Sequence, residues 1–305
     1  CALPILLVDG STRTELPYSE WYLNSMNYPG SQTEAYHQEH YGNAPYRNFQ
    51  TEFETGIKNS WQPNKWAEIF SDAGAKYVVL VSKHHDGYTL WPSAVQNPHM
   101  AGWGSSRDLV GELAAAVRAR GMRFGVYYST GLDWSFKMVT EGDRLTDVMR
   151  SAPSSQRYAD YAYHHMVELI DNYQPDVLWA DIGYPSKGRL GQLLEYYFQE
   201  VPLGAVNDRW GGVDVLGDIA QWPVGSWALK KLLRWAVEQK SDDLEDDPDR
   251  LGYQTTEYSN LSGIAPFKWE STRGLGGSFG HNRQETSADM LDSTELVHYL
   301  VDTVA

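Results

Sequence analysis

The sequence predicts an α/β fold of the (β/α)8-barrel type. Stretches with the apolar spacing of a helix are followed first by glycine or proline and then by a short, uninterrupted apolar run. Strands that are apolar on both faces and alternate with helices are typical of parallel sheets. The unit recurs at least four times, which favours a barrel over an open sheet, although a doubly wound sheet stays possible at this point.

Each repeat can be located in the chain. The predicted helices are Asn64–Ala73, Leu109–Arg120, Tyr158–Tyr173 and Leu190–Glu200, and the strands after them are Lys76–Ser82, Arg123–Ser129, Asp176–Asp181 and Gly204–Asp208. Two further strand ends are predicted at Thr255–Tyr258 and Lys268–Glu270, a final helix at Ser293–Ala305, and a short buried strand or processed end at Cys1–Asp9. No glycine-rich phosphate loop follows these strands, so we expect no dinucleotide cofactor.

The composition excludes several classes of protein. The chain of 305 residues carries 25 Lys and Arg against 40 Asp and Glu, a net charge of −15, so we do not expect it to bind nucleic acid. Its single cysteine cannot form an internal disulfide or a cysteine-built zinc site. The sequence has no apolar run of membrane-spanning length. Its 12 tryptophans suit either a packed core or the apolar face of a sugar ring.

We expect residues 1–305 to form a single barrel domain. One segment, Gly211–Arg250, interrupts the repeats and is interpreted as an insertion with a helix over Trp227–Lys240 and an acidic loop over Ser241–Arg250. Acidic runs of this kind are usually solvated, and the spacing does not match a calcium-binding loop.

Polar residues follow the predicted strands at the end where a parallel barrel builds its active site. They are Lys83–Gly87, Tyr127 with Asp133 and Trp134, Trp179 with Asp181, Asn207–Trp210, Glu257 and Glu270. Two carboxylates on separate strand ends, surrounded by His, Tyr, Trp and Arg, are what the hydrolysis of a glycoside requires.

Structural roles for these residues are also open. Asp181 could cap the next helix, and Glu257 and Glu270 could pair with Arg209 or Arg273. Neighbouring histidines on a strand point to opposite faces, so His84 and His85 are not expected to share a metal ion. The sequence therefore predicts neither a metal nor a cofactor.

Several motifs together resemble the α-L-fucosidases of glycoside hydrolase family 29. They are AGAKYVVLVSKHHDGYTLW around His84, SEWY at Ser19–Tyr22, RFGVYYSTGLDWSF at Arg123–Phe136, PDVLWADIG at Pro175–Gly183, VNDRW at Val206–Trp210, TEY at Thr256–Tyr258 and KWESTRGLGGSFG at Lys268–Gly280. They occur in the family's order and cover most of Ser19–Val304.

The resemblance implies a retaining exo-glycosidase that acts on fucosylated oligosaccharides or glycoconjugates. It implies that Asp181 is the nucleophile and Glu257 the general acid/base, with Glu270 as the alternative acid/base. The implied fucose contacts are Glu20, Trp21, His84, His85, Tyr127, Trp179 and Arg209. In a retaining enzyme the two carboxyl groups should lie roughly 5–5.5 Å apart.

The sequence also departs from the family pattern. Cys1–Tyr18 lacks the family's His-Trp, the last barrel strand and C-terminal β-sandwich are missing, and Gly211–Arg250 is longer than the matching stretch of bacterial members. We therefore expect an incomplete barrel whose open edges favour association of several copies. Two alternatives follow: a catalytically impaired fucose-binding fragment, or a barrel enzyme for a related sugar. The compartment stays open.

Overall fold

In a computed structural model of the chain, residues 18–140, 144–212, 214, 252–258, 265–282 and 285–304 are described. The chain divides into two compact units. We call Ala44–Val139 with Val148–Leu229 the sheet unit, and Cys1–Asn43 with Thr140–Asp147 and Lys230–Ala305 the terminal unit. Each unit contains its own parallel strands.

The helices confirm the sequence prediction to within two residues at each predicted end. In chain order they are α1 (Tyr22–Met26), α2 (Gln32–Tyr41), α3 (Phe49–Ser60), α4 (Pro63–Asp72), α5 (Leu109–Arg118), α6 (Arg144–Arg150), α7 (Gln156–Tyr173), α8 (Leu190–Glu200) and α9 (Ser293–Val304). Helices α1, α2, α3 and α6 were not predicted. Helix α2 carries no periodic apolar pattern, whereas α3 has apolar residues at helical spacing, Phe49, Phe53 and Ile57, which were overlooked. No helix in the described ranges is long and apolar enough to cross a membrane.

The sheet unit is built on four parallel strands in the order β1–β2–β3–β4. The strands are β1 (Tyr77–Lys83), β2 (Arg123–Ser129), β3 (Val177–Asp181) and β4 (Ala205–Val206). Because α5 lies between β1 and β2 in the chain, α7 between β2 and β3, and α8 between β3 and β4, the α/β class is confirmed. The register pairs Tyr127 with Trp179 and Ser129 with Asp181, so these side chains share one face of the sheet.

The other face of the sheet forms the core. Val126 and Leu178 alternate with Tyr127 and Trp179 along their strands and have no exposed surface. They belong to an apolar cluster that includes residues of α5 and α7: Val110, Leu113, Val117, Ala162, Met166, Leu169 and Ile170. Each of the Val, Leu, Ile and Met side chains among them contributes about 1.5–3 kcal/mol by leaving water. The helices therefore hold the sheet rigid beneath the face that carries Asp181.

Strand β4 is shorter than predicted because a side chain replaces its last backbone hydrogen bonds. The sequence predicts a strand over Gly204–Asp208, but only Ala205–Val206 is regular. The side-chain amide of Asn207 accepts from the N–H of Ala180 at 3.0 Å and donates to its carbonyl oxygen at 2.8 Å. The side chain of Asn207 thus pairs with the backbone of β3 where a neighbouring strand would otherwise do so. The following residues, Asp208–Trp210, are not part of a strand.

Helix α7 ends at a residue in the left-handed conformation that is not glycine. Gly74 and Gly121 follow α4 and α5 with φ of 84° and 73°, which glycine adopts without a steric penalty. At the end of α7 this position is occupied by Gln174, with φ of 43° and an exposed side chain. A side chain in this region costs roughly 1–2 kcal/mol.

Replacing Gln174 with glycine is therefore expected to stabilise the protein by about 0.5–1 kcal/mol, the greater freedom of glycine in the unfolded chain offsetting part of the gain. The backbone oxygen of Gln174, which accepts from Arg118 at 2.8 Å, is kept. Urea unfolding of the wild type, Gln174→Gly and Gln174→Ala measures the effect. Alanine retains the Cβ and is the control. A glycine variant no more stable than the alanine variant contradicts the prediction.

The terminal unit contains a second pair of parallel strands, β5 (Gln254–Glu257) and β6 (Trp269–Thr272). Both fall where strand ends were predicted. Helices α1, α2 and α9 belong to this unit as well. The strand or processed end predicted for Cys1–Asp9, the helix predicted over Trp227–Lys240 and the acidic loop lie outside the described residues, as does most of Gly211–Arg250.

Candidate active site

Asp181 is the last residue of β3, and donors approach both oxygens of its carboxylate. The hydroxyl of Tyr127 donates to Oδ2 at 2.6 Å, and the backbone N–H of Ile182 donates to Oδ1 at 2.9 Å. A guanidinium nitrogen of Arg209 lies 3.5 Å from Oδ1. Such donors stabilise negative charge in a mostly buried position. The alternative role as a helix cap is wrong, because α8 follows Arg189 with no side-chain cap.

The backbone turns sharply after each candidate carboxylate. Ile182, next to Asp181, has φ of 53°, and Tyr258, next to Glu257, has φ of 51°. Left-handed geometry at a β-branched or bulky residue is uncommon and costs on the order of 1–3 kcal/mol. Each carboxylate is therefore the final residue of its strand, held by the sheet on one side and by a tight turn on the other.

Aromatic rings lie beside the Asp181 carboxylate. The rings of Tyr127 and Trp179 stack with centroids 5.1 Å apart, and His84 stacks on Tyr127 at 6.0 Å. The guanidinium of Arg209 lies 4.8 Å from the centroid of the Trp179 ring, so its position is fixed by the ring as well as by Asp181. The result is an apolar wall with charged and hydrogen-bonding groups at its edge.

The two histidines do not lie on opposite faces, so that expectation is wrong. The ring centroids of His84 and His85 are 3.9 Å apart. Strand β1 ends at Lys83, and its register shifts between Val81 and Lys83, so the alternation of a regular strand no longer applies. In the described ranges, no three or more His, Cys, Asp or Glu side chains are grouped to hold a metal ion.

A buried ion pair between Lys83 and Asp133 lies next to the two histidines. Nζ of Lys83 is 2.9 Å from Oδ2 of Asp133, and both side chains are 0% exposed. The ammonium also lies 4.5 Å from the ring centroid of Tyr128, and Oδ1 of Asp133 accepts the backbone N–H of Ser135 at 3.0 Å. Lys83 precedes His84 in the chain, and the backbone N–H of Trp134, next to Asp133, donates to the carbonyl oxygen of His85. The ion pair of Lys83 and Asp133 therefore holds the backbone on both sides of the two histidines.

Removing one partner of this pair is expected to destabilise the protein strongly. Lys83→Met leaves Asp133 charged and buried, and such a change costs about 3–5 kcal/mol. The double variant Lys83→Met/Asp133→Leu is expected to recover part of this loss, because no unpaired charge is left. Urea unfolding measures both. The exposed pair of Lys65 and Glu68, 3.0 Å apart, gives the control Lys65→Met, for which we expect no measurable change. Equal stability of Lys83→Met and the control contradicts the prediction.

Two neutral histidines, the half-buried His84 and the fully buried His165, make stability depend on pH. Burial lowers the pKa of His84 to about 4, an effect that the charge of Asp181 partly opposes, and burial lowers the pKa of His165 to about 3. In the unfolded chain both take up a proton near their usual pKa of ~6.5. The unfolded state thus binds more protons between these values, so the folded state loses stability as pH falls.

We therefore expect the free energy of unfolding to decrease as the pH is lowered from about 6.5 towards 4. Urea unfolding at a series of pH values gives the measurement, and His84→Asn should flatten the slope. A free energy of unfolding that is constant or rises over this interval would refute the assignment of neutral histidines.

In the terminal unit, Glu20 is hydrogen-bonded to the glycine-rich loop Gly274–Gly280 (GLGGSFG). Its Oε2 accepts the Ser278 hydroxyl and the backbone N–H of Gly280, both at 2.9 Å. The N–H of Ser19 donates to the same serine oxygen at 2.9 Å. Trp21 follows directly and is 4% exposed, so little of its ring is accessible.

In the terminal unit, Tyr18 lies within electrostatic reach of both Glu257 and Glu20. Burial raises the pKa of Tyr18, and the neighbouring Tyr258, Glu257 and Glu20 raise it further. The ring of Phe279 contacts Tyr18 at 5.9 Å and Tyr258 at 5.4 Å between centroids. The SEWY and GLGGSFG motifs therefore meet around the end of β5.

Strand register separates the two candidate acid/base residues. Glu257 is the last residue of β5 and pairs with Thr272, whereas Glu270 is paired with Thr255, two residues earlier. Both glutamates share one face of this strand pair, because Thr255 and Glu257 are two residues apart. Active sites of parallel barrels use the carboxyl ends of strands, which favours Glu257.

The structure thus distributes the predicted site residues over two units. His84, His85, Tyr127, Trp179, Asp181 and Arg209 come together in the sheet unit, whereas Glu20, Trp21, Glu257 and Glu270 belong to the terminal unit. Their roles, and the separation of roughly 5–5.5 Å between the carboxyl groups of Asp181 and Glu257, stay predictions.

Sequence reasoning missed the residues that support the site. Ser129 and Ser278 were not among the candidates, and Asp133 was named only as a polar residue after the second predicted strand, although each is buried against a candidate or its neighbour. Ser129 ends β2 at the level of Asp181, and a polar residue at the carboxyl end of an apolar run was the available signal. Ser278 had no such signal, because it contacts Glu20 across 258 positions of sequence.

Comparisons with known proteins agree on one family. A family model described as alpha-L-fucosidase matches residues 8–305. The alpha-L-fucosidase of Dictyostelium discoideum is 30% identical over 298 residues, which cover 94% of this chain and 57% of the relative. The human plasma alpha-L-fucosidase is 34% identical over 251 residues, which cover 79% of this chain and 46% of the relative. The chain therefore spans about half the length of these curated relatives.

Solved structures give the same result. The crystal structure of the Thermotoga maritima alpha-fucosidase in complex with fucose superposes with a TM-score of 0.74 at 40% identity, covering 95% of this chain and 58% of that one. The fold of this chain is thus the α/β, (β/α)8-type catalytic fold, of which the described residues contain a part.

Proposed function

Because this chain belongs to the α-L-fucosidase family, glycoside hydrolase family 29, we propose that it hydrolyses terminal α-L-fucosides with retention of configuration. The observation that carries the proposal is Asp181, a strand-end carboxylate oriented by Tyr127, Ile182 and Arg209 beside a stacked aromatic wall. The proposed substrates are fucosylated oligosaccharides or glycoconjugates, and residues 1–305 are proposed to form one catalytic domain.

The reaction takes two steps. In the first, an oxygen of Asp181 attacks the anomeric carbon and forms a fucosyl-enzyme ester, while Glu257 gives its proton to the departing glycosidic oxygen. In the second, Glu257 takes a proton from water, and the resulting hydroxide breaks the ester and releases fucose. Glu257 is again protonated and Asp181 again ionised, so the balance is one bond hydrolysed per water consumed.

The remaining residues bind and orient the sugar. Trp179 and Tyr127 offer flat faces to the apolar side of the ring, with Trp21 assigned the same kind of contact. Arg209, His84, His85 and Glu20 supply polar atoms for the hydroxyl groups. Glu270 stays the alternative acid/base.

The test is the release of nitrophenol from an aryl α-L-fucoside, with an aryl β-galactoside as the comparison substrate. We expect cleavage of the fucoside and, by NMR, α-L-fucose as the first anomer released. Preferred cleavage of the galactoside would favour the related-sugar alternative, and release of β-L-fucose first would exclude retention. Calorimetric binding of L-fucose without turnover would favour a fucose-binding fragment.

A further inference from the structure

The hydroxyl of Ser129 contacts His85 and determines which nitrogen of the histidine ring carries the proton. The serine hydroxyl, 0% exposed at the end of β2, donates its proton to the carbonyl oxygen of Leu132 at 2.7 Å. The same oxygen lies 2.6 Å from Nδ1 of His85. A hydroxyl has one proton, so once it is given to Leu132 the oxygen can only accept from the histidine.

It follows that the proton of the neutral His85 ring is on Nδ1. The other ring nitrogen, Nε2, then carries a lone pair and faces the reaction centre, 3.8 Å from Oδ2 of Asp181. Burial, followed by the neighbouring His84 and Lys83, holds the pKa of His85 well below its usual value, which is consistent with a ring that has a single proton.

We propose that Ser129 is a positioning residue that fixes the tautomer of His85, so that Nε2 accepts a hydrogen bond from a hydroxyl group of the bound sugar and does not donate one. The inference rests on the proposed function for the identity of the sugar. The serine acts through the histidine and does not itself reach the substrate.

The same arrangement protects the nucleophile. If the ring proton moved to Nε2, it would point at Oδ2 of Asp181, and a rotation of the ring would close the 3.8 Å gap to a hydrogen bond. The carboxylate would then give part of its negative charge to the histidine. Ser129 keeps this proton away, so the charge on Oδ2 is shared with Tyr127 and stays available for attack.

The tautomer can be measured directly. In ¹⁵N NMR of protein labelled at histidine, with the His85 signals identified from a His85→Gln variant, the protonated and unprotonated nitrogens of a neutral ring are resolved. We expect Nδ1 to carry the proton in the wild type and the proton to move to Nε2 in Ser129→Ala. Ser82→Ala is the matched control, because Ser82 is equally buried and donates to the carbonyl of Tyr127 without contacting a histidine.

Ligand analogues test the direction of the hydrogen bond. Calorimetry with L-fucose and with its deoxy and deoxyfluoro analogues compares each hydroxyl with hydrogen, which neither donates nor accepts, and with fluorine, which accepts only. For the hydroxyl group that donates to Nε2 of His85, we expect replacement by hydrogen or by fluorine to weaken binding about ten-fold. This is the cost of losing one buried hydrogen bond. In Ser129→Ala the fluorinated analogue should recover affinity relative to the deoxy analogue.

The outcomes are distinct. Fucose binding with the proton on Nε2 of the wild type, or fluorinated analogues that retain affinity at every position, overturns the acceptor role and leaves the fucosidase proposal intact. No binding of L-fucose together with no cleavage of the aryl α-L-fucoside overturns both. The wild-type spectrum and ligand series decide the question even where Ser129→Ala does not fold.

Discussion

Replacing Asp181 with asparagine is expected to lower kcat for an aryl α-L-fucoside by roughly 10³–10⁶-fold, the range found when a covalent nucleophile is removed. The amide has nearly the same shape, so packing around Tyr127 is retained while the attacking charge is lost. Binding of L-fucose should therefore change far less than kcat. The rate of nitrophenol release gives kcat, and calorimetry gives the affinity.

The size of this effect depends on how Asp181 is held. Its position at the end of a rigid strand and the donors on both oxygens fix the direction in which the carboxylate points. Correct orientation of a nucleophile supplies much of the rate enhancement. Asp171→Asn, on the exposed surface of α7, is the control, and we expect it to keep the wild-type rate.

External azide provides a second readout for the nucleophile. In Asp181→Gly the space of the carboxylate is open, so azide is expected to attack the anomeric carbon from that side and give a fucosyl azide of inverted, β configuration. An active wild type together with an Asp181→Asn variant that keeps its rate would show that another group is the nucleophile.

Replacing Glu257 with alanine is expected to lower kcat/KM by about 10²–10⁴-fold, the usual contribution of a general acid. The loss should be greatest for sugar leaving groups and smallest for nitrophenol, which departs without a proton. Azide should restore turnover of the aryl substrate, this time with the α configuration, since Asp181 still forms the ester. Kinetics on both substrates and NMR of the azide product provide the measurements.

Glu270→Ala is the matched control for this variant. Both glutamates face the same side of the β5–β6 pair, so either change removes one carboxylate from the same surface. Because parallel barrels use the carboxyl ends of their strands, we expect only Glu257, the last residue of β5, to serve in proton transfer. Recovery by azide in Glu270→Ala alone would assign the acid/base role to Glu270.

The elements that could be predicted are those whose signal lies in neighbouring residues. Helix α8 and strand β2 were located to the residue, because apolar spacing and stop signals are local. Helix α2 escaped because its polar sequence carries no periodic signal. The length of strand β4 was overestimated because the side-chain amide of Asn207 takes the place of backbone hydrogen bonds. No sequence pattern predicts such a replacement.

The candidate site shows the same division. Asp181 follows an apolar run, so its place at a strand end could be predicted from the sequence, whereas its role as nucleophile was implied by the resemblance and stays a prediction. Its contact with Arg209 has no local signal, since the two residues are 28 positions apart. The histidine pair was misplaced because a register shift at the end of β1 has no sequence signature. The role of Ser129 depends on the direction of one hydroxyl proton, which only the three-dimensional structure reveals.

The buried pair of Lys83 and Asp133 restricts how this protein can evolve. A lineage that changes one of the two residues passes through a form with an unpaired buried charge, which removes a large part of the stability of an ordinary domain. The two positions are therefore expected to change together or not at all, as a covarying pair in an alignment of relatives. Substitutions in the surrounding loops can alter the leaving-group preference. The ion pair of Lys83 and Asp133 next to the histidines is expected to be conserved or replaced as a pair.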